Sequence, residues 1–356
     1  MDSVGVRALV RRSAGWPAGG LAQRLNWHPG MNRHALLLAL ITYLITPSLG
    51  CFDLWFEPAG DDPWAPCAPR VRGEVNPAGT HSLFVVDSVR FATSWDEVNT
   101  VLGMDFDQLE PLRNDNLLGG VLATVFGGLG TNVESIVASM IADGRILHLI
   151  DVQSVGRQTA DGVGVSVFLG LDLDGDPGDN FTGVETFGVV DPFAGETMVG
   201  AVTNGHIEAE LGAMPLQIAL PGSEEPFVLN LGAARIEADF DDDRLIGLIG
   251  GVLSEAQVQD EFLPIVHTAM ARSIALQCEQ GVCEPGSNGA VFLDLFDSDG
   301  DGELSLDEVR ENDLIRALLA PDLDLFDENG LMAPGCDMTT ESLSFVVGFT
   351  AVPAQF

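Results

Sequence analysis

Acidic residues alternate along a short segment near the carboxyl end of the sequence. Asp297, Asp299 and Asp301 stand two residues apart, Gly302 follows them, and Glu308 completes the pattern. Carboxylate oxygens suit hard divalent cations, and Ca2+ takes about six to eight oxygen ligands at loose geometry. Gly302 permits the sharp turn that brings alternating carboxylates toward one point. The types and spacing of these residues therefore predict a calcium-binding loop over residues 297–308.

Three positions of this loop would complete the coordination. Glu303 would offer its backbone carbonyl oxygen, Ser305 would bind through a water molecule, and Glu308 would contribute both carboxylate oxygens. The predicted ligand set is Asp297, Asp299, Asp301, Glu303, Ser305 and Glu308.

Apolar residues favour a helix before the loop. Phe292, Leu293 and Phe296 are spaced as on the buried face of a helix, and Leu304 is an apolar residue inside the loop. The loop and its flanks resemble the EF-hand family over about thirty residues. The resemblance implies a helix–loop–helix within residues 286–330 and Ca2+ as the cofactor. Because the sequence holds no second intact EF-hand, we expect this loop to bind calcium unpaired and weakly.

The sequence departs from the EF-hand pattern just after the loop. The exiting helix of that family keeps apolar residues about a turn beyond the position of Val309, where this chain has Asn312 and Asp313. We expect a short exiting helix, and Asp313 is predicted to cap a new helix over residues 314–319.

A second acidic segment follows a strand-like run. Its alternating acids resemble the calcium turns of thrombospondin type 3 repeats, which implies a second, weaker calcium site. Pro177 stands where an EF-hand needs glycine, so this segment is not a second EF-hand. An acidic β-turn without an ion is the alternative. The residues of this segment are Asp172, Asp174, Asp176, Asp179 and Asn180.

Other acidic groups give weaker signals for calcium. A group just after the loop contains Asp322, Asp324, Asp327 and Asn329, and a group in the first third of the chain contains Asp105, Asp107, Asp115 and Asn116. A third group is predicted to be a solvated turn and contains Asp239 with residues 241–243.

The charge of the chain excludes one class of partner. The sequence has 53 acidic residues against 16 basic ones, for a net charge of −37. A surface of that sign repels nucleic acid and anionic lipid and attracts cations. We therefore expect calcium ions and no nucleic acid as partners, while protein partners stay open.

A leader precedes the acidic part of the chain. Met31 is followed by basic residues, an apolar run over residues 35–45, and the small residues Ser48 and Gly50 before Cys51. This order predicts a true start at Met31 and a signal peptide over residues 31–50, within a leader of residues 1–50. A run of this length is too short to span a membrane stably. A buried helix with a disordered tail is the alternative.

The residues before Cys51 resemble the lipobox of bacterial lipoproteins, although that family usually has leucine where this chain has Ser48. The resemblance implies lipidation of Cys51 and attachment to a membrane through that lipid alone. We expect an exported outer-membrane or cell-surface lipoprotein; a periplasmic or secreted protein remains the alternative.

The remaining cysteines form an even set. Four cysteines could make two disulfides in an oxidising compartment, with three connectivities open. A zinc site is the competing interpretation, but no CxxC spacing or histidine pairing favours it. The four are Cys67, Cys278, Cys283 and Cys336.

Strand-like runs dominate the rest of the sequence, and helices interrupt them without alternating regularly. This order predicts an α+β fold with an antiparallel, β-rich body. Strands are expected at residues 82–91, 145–155, 163–171, 207–220 and 227–240, and helical segments at 117–141 and 245–277. The organisation predicted is a Pro/Asp-rich tether at 51–79, a body at 80–285, an EF-hand segment at 286–330 and a closing β-rich tail at 331–356 packed on the body.

Catalytic motifs are missing from the sequence. The histidines show no HExxH spacing, and neither a GxSxG elbow nor a Walker loop is present. The whole chain resembles uncharacterised Asp-rich bacterial lipoproteins, a resemblance that implies no activity. We expect no enzyme but a calcium-binding envelope protein with structural calcium and a role in surface structure or adhesion; a secreted calcium-stabilised hydrolase is the alternative.

Overall fold

Long strands make up most of the chain that this computed structural model describes, namely residues 70–107, 115–128, 132–190, 196–241, 243–279, 282–326 and 339–356. The predicted leader, Cys51, Cys67, Cys336 and residues 51–69 of the tether lie outside the described residues. The strands are β1 (Thr80–Arg90), β2 (His148–Ser154), β3 (Thr159–Asp172), β4 (Phe187–Val190), β5 (Met198–Thr203), β6 (His206–Ile218), β7 (Phe227–Phe240), β8 (Leu245–Ser254), β9 (Cys278–Glu279), β10 (Val282–Cys283) and β11 (Ser342–Pro353).

Nine of these strands form one antiparallel sheet that closes on itself. Its order is β2-β1-β11-β8-β7-β6-β5-β3-β4, and β2 also pairs with β3. Most neighbours in the sheet are neighbours in sequence, as short antiparallel connections require. The closing contacts join β1 to the last strand, with Val85 opposite Val352, and β2 to β3, with Leu149 opposite Phe168. Closure satisfies the backbone groups that an open edge would expose.

The last strand is an integral part of this sheet. The β-rich tail was expected to pack on the body, but β11 lies between β1 and β8 and pairs with both. Phe345 and Val347 of β11 are buried in the same core as Phe84 of β1. The carboxyl-terminal strand therefore completes the hydrophobic core.

Seven α-helices lie beside the sheet in the described residues. A three-residue helical turn, Glu255–Gln257, and a π-turn, Val258–Phe262, lead into the longest of them. The helices are α1 (Trp95–Thr100), α2 (Leu117–Gly128), α3 (Val133–Ala142), α4 (Leu263–Gln277), α5 (Asn288–Phe296), α6 (Leu306–Glu311) and α7 (Asp313–Leu318). Among the residues that the structure describes, no helix is both long and apolar enough to cross a membrane.

The architecture is therefore α+β, but one predicted helical segment is wrong. Residues 245–277 were expected to be helical, and their first ten residues form strand β8. The run is apolar at consecutive positions, which suits either a buried strand or a buried helix. Gly247 favours the strand, because it lets the backbone lie close to the adjacent strand. A Cβ there would lie 2.0 Å from the carbonyl oxygen of Glu237. Only glycine allows β7 and β8 to approach so closely.

Candidate metal centre

Two helices hold the acidic loop, which we define as residues 297–308. The side chain of Ser287 caps α5, and that helix ends at Phe296, immediately before the loop. Helix α6 begins at Leu306, still within the loop. Phe292 and Phe296 are buried in the main core, as their spacing predicted, and Val309 is fully buried. Packing of the flanking residues thus determines where the loop begins and ends.

Three carboxylates converge inside the acidic loop. Oxygen atoms of Asp297, Asp299 and Glu308 all lie within 4.8 Å of one another. The backbone N–H groups of Gly300 and Gly302 donate to the two carboxylate oxygens of Asp297 at 2.7 and 2.9 Å. Both glycines adopt positive φ angles, 75° and 82°, which residues with a Cβ rarely adopt. The sequence predicted that Asp301 converges with these three residues, but Asp301 lies outside the group.

Glu308 joins the two ends of the loop. Its Oε1 accepts hydrogen bonds from the backbone N–H groups of Ser298 and Asp299, at 2.7 and 3.3 Å. Its Oε2 accepts from the backbone N–H of Ser305 at 2.9 Å, while the Ser305 side chain caps α6. The hydrogen bonds from Ser305 and Ser298 lower the pKa of Glu308 to about 2. The carboxylate is therefore ionised at neutral pH and held in place.

The other predicted ligands line the same loop without joining the three-carboxylate group. The Oδ1 atom of Asp301 accepts from the backbone N–H of Glu303 at 2.8 Å. The side chains of Glu303 and Ser305 are exposed. Coordination through the Glu303 carbonyl and through a water on Ser305 remains a prediction.

Helix α4 anchors the loop to the rest of the molecule. Leu304 is buried in the main core, and its backbone carbonyl oxygen lies 2.7 Å from Nε2 of His267 on α4.

Asn312, which follows α6, holds the chain just beyond the loop. Its side-chain amide donates to the carbonyl of Leu295 at 3.0 Å. Asn312 also caps α7 through the N–H groups of residues 314 and 315, so the predicted cap at Asp313 is wrong by one residue. The predicted shortness of the exiting helix is confirmed, since α6 ends at Glu311.

A second group of carboxylates lies in the turn between β3 and β4. Oxygens of Asp174, Asp179 and Glu185 lie within 4.8 Å of one another. Asp172 and Asp176 were predicted as ligands, but each accepts backbone hydrogen bonds within the turn and lies outside this group. Desolvation raises the pKa of Asp179, and the charges of Asp174, Glu185 and Asp176 raise it further. Glu185 was not predicted, because it stands beyond the alternating segment.

A third group lies near the start of the body. Oxygens of Asp105, Asp107 and Asp115 lie within 4.8 Å of one another. Burial, reinforced by the charges of neighbouring acids, raises the pKa of Asp115 to about 7.

Asn116 was predicted to belong to this group, but its side chain makes hydrogen bonds elsewhere. Its Oδ1 accepts from the N–H groups of Gly119 and Val346, and its Nδ2 donates to the carbonyls of Leu102 and Val346. Asn116 is therefore a structural bridge.

The remaining acidic predictions serve local structure or fall outside the described residues. Asp322 accepts from the N–H and hydroxyl of Ser344, at 2.9 and 2.6 Å, and burial raises its pKa. Asp327 and Asn329 lie outside the described residues. Asp241 accepts from the N–H of Asp243 at 2.9 Å in an exposed turn, as predicted. Asp239 instead lies within β7 and contacts His206.

One of the open cysteine pairings is settled by the structure. Cys278 and Cys283 are joined by a disulfide, with their sulfur atoms 2.01 Å apart. The bond links β9 to β10 directly after α4. These two sulfurs are consequently not thiolates available to zinc.

A buried histidine faces the interior of the closed sheet. His148 is 3% exposed, and its Nε2 accepts from the backbone N–H of Gln217 at 2.7 Å. Burial lowers the pKa of His148 to about 4. The cavity that it lines has a volume of about 20 Å³ and is otherwise apolar. A volume of that size holds about one water molecule.

Comparison of the chain with protein-family models, with curated proteins and with solved structures gives no match.

Proposed function

We propose that this protein binds Ca2+ in the acidic loop, in the manner of an EF-hand, and that the ion has a structural role. The observation that carries the proposal is the convergence of Asp297, Asp299 and Glu308 within 4.8 Å. A helix precedes this group and a short helix begins inside the loop, which supports the proposal.

The donor set favours calcium over other divalent cations. The candidate ligands are hard oxygen atoms without sulfur or imidazole, which suits Ca2+ and Mg2+ more than transition metals. Mg2+ requires near-ideal octahedral geometry and gives up its water reluctantly, whereas Ca2+ accepts irregular sites. Glu308 presents both oxygens toward the loop, as bidentate coordination of the larger ion requires.

The connections of the loop support a structural role for the ion. A cation held by Asp297 and Glu308 would join the end of α5 to the start of α6. Leu304 and Val309 on this segment are buried in the core that includes Phe345 of β11. Order gained in the loop would thus extend to the packing of the helices on the sheet. We place this role in surface structure or adhesion.

We also propose export from the bacterial cytoplasm, with the chain anchored in the outer membrane or at the cell surface through lipid on Cys51. The Cys278–Cys283 disulfide supports export, because such bonds persist in oxidising compartments. Free secretion or periplasmic residence would be equally compatible with that bond.

The cavity at His148 does not provide the cleft that hydrolysis would need. A hydrolase needs a cleft in which a substrate meets its acid and base. The His148 cavity has room for about one water molecule. Among the described residues, it offers no space for a substrate.

Calorimetric titration of the protein and two variants with Ca2+ tests the calcium proposal. Glu308→Gln removes one charge and disturbs bidentate closure but keeps the capping box at α6, because glutamine also serves there. We expect affinity for the loop site to fall at least tenfold, about 1.4 kcal/mol. Asp307→Asn is the matched control, since its side chain is 87% exposed and outside the carboxylate group. Equal affinity in the wild type and Glu308→Gln would overturn the proposal.

A further inference from the structure

The turn between β3 and β4 contains a buried side chain that local structure does not explain. Asn180 is 0% exposed, and neither its Oδ1 nor its Nδ2 has a hydrogen-bond partner among the described residues. The Oδ1 atom of the neighbouring Asp179 is also buried without a partner in that part of the chain. Buried amides in folded proteins are nearly always hydrogen-bonded or bound to a ligand, so this pair requires a further group.

The amide of Asn180 lies beside Gly144, just after α3. Its Nδ2 lies 3.0 Å from the position that a Cβ on Gly144 would occupy, and a carboxylate oxygen of Asp172 lies 3.6 Å from the same point. Gly144 therefore leaves room for the amide between the end of α3 and the acidic turn. Rotation of the amide by about 180° exchanges its oxygen and nitrogen, so the oxygen can act as a ligand from this position.

Glu185 brings a carboxylate from the far end of the same turn. Pairing of β3 with β4 sets Asp172 opposite Phe187 and returns the chain toward its starting point. Oxygens of Glu185, Asp174 and Asp179 consequently lie within 4.8 Å of one another. Three carboxylates so close repel one another unless a cation or proton compensates them.

We propose that Asp174, Asp179 and Glu185, together with the amide oxygen of Asn180, form a second calcium site, independent of the acidic loop. Its ligands come from both ends of the turn and from the buried position beside Gly144. An ion there would hold the two ends of the β3–β4 connection together. It would also fix the carboxyl terminus, because the backbone of Gln355 donates to Glu185 and accepts from Phe187, at 2.9 and 2.8 Å.

Equilibrium dialysis of the protein with radioactive Ca2+ alone distinguishes the two sites. The double variant Asp179→Asn, Glu185→Gln should bind one Ca2+ ion fewer than the wild type. Asp176→Asn is the matched control in the same turn; it should lose no ion, because Asp176 lies outside the carboxylate group. Glu308→Gln should weaken a different ion at least tenfold, and binding to the acidic loop by the double variant reports that the protein is folded.

Each result decides one proposal separately. If the double variant binds as many ions as the wild type, the second site is wrong, whatever Glu308→Gln does. If Glu308→Gln changes nothing while the double variant loses an ion, the second site stands and the loop proposal falls. Hydrogen exchange at the Gln355 and Phe187 amides gives an independent readout. Calcium should slow it in the wild type and in Glu308→Gln but not in the double variant; exchange insensitive to calcium in all three proteins would overturn the second site.

Discussion

Nε2 of His267 lies 2.7 Å from the backbone carbonyl oxygen of Leu304, which places a histidine of α4 in contact with the acidic loop. A carbonyl oxygen can only accept a hydrogen bond, so Nε2 must carry the proton. Leu304 is buried in the main core, while Glu303 and Ser305 on either side of it are exposed. This hydrogen bond therefore fixes the loop at the point where it enters the core.

We expect His267→Leu to destabilise the protein and weaken calcium binding to the loop. The substitution removes the donor to Leu304, and a hydrogen bond of this kind contributes about 1 kcal/mol to the free energy of unfolding. His267→Gln retains an N–H donor and should lose less. Urea unfolding with and without Ca2+ measures both effects. Equal losses in the two variants would show that the imidazole contributes through packing.

Calcium should raise the melting temperature of the wild type, and a chelator should lower it. An ion that binds only the folded loop stabilises by about 2.7 kcal/mol at one hundred times its dissociation constant, and by about 1.4 kcal/mol at ten times. Extracellular modules of this kind often bind at about 0.1–1 mM, so millimolar calcium is expected to give the smaller effect. Differential scanning calorimetry across a calcium series measures the shift.

Sodium chloride provides the control for this calcium effect. After residue 50 the sequence has 52 acidic residues against 11 arginines, and screening relieves their diffuse repulsion. Screening cannot ligate the loop, so salt in chelator should recover only part of the melting temperature. A melting curve indifferent to calcium and chelator would contradict the structural role, even if the loop binds the ion.

Acid should destabilise the protein through His148. Burial lowers the pKa of His148 from 6.5 to about 4. Between these pH values His148 is protonated in the unfolded chain but neutral in the folded chain. The free energy of unfolding should therefore fall as the pH drops from 6.5 to 4, by on the order of 3 kcal/mol from this group. His148→Gln cannot titrate and should flatten this part of the stability profile. If chemical unfolding gives parallel profiles for the two proteins, His148 does not carry the effect.

Asn116→Ala should be strongly destabilising without changing calcium affinity at the loop. The substitution leaves the N–H and carbonyl of Val346 and the carbonyl of Leu102 without their side-chain partner inside the fold. Each unsatisfied buried group costs about 1–3 kcal/mol, so we expect a loss of at least about 2 kcal/mol. Asn99→Ala, at an exposed position of α1, should change stability by less than about 1 kcal/mol. Urea unfolding of both variants makes the comparison.

Replacement of Cys51 tests the proposed anchor. Cys51→Ser removes the thiol that would carry lipid, so the variant should leave the membrane fraction for the soluble fraction after cell lysis. Cys278→Ser is a control that breaks the disulfide without touching the anchor and should remain with the membranes. A wild-type protein already found in the soluble fraction would favour ordinary secretion or periplasmic residence.

Local pattern was enough to predict three of the four carboxylates that were expected to converge in the acidic loop, all but Asp301. Its donors lie within twelve residues of one another, and Gly302 bends the chain among them, so no distant contact is needed to bring Asp297, Asp299 and Glu308 together. The long strands β6 and β7 were likewise predicted within two residues at each end, because their burial alternates. The short strands β4 and β5 were missed, since four to six residues carry too little pattern.

Tertiary structure decided the features that join distant parts of the chain. Only the pairing of β3 with β4 brings Glu185 to Asp174, and only the pairing of β1 with β11 closes the sheet. In the sequence, Asn116 is one polar residue beside several acids. Its role as a bridge depends on the distant Val346, whose backbone N–H donates to its Oδ1. The sequence alone therefore determined the carboxylate residues and the turn of the acidic loop, because those depend on residue identity and short spacing. Strand pairing determined the second carboxylate group and the buried polar bridge, because their partners approach only when the whole sheet forms.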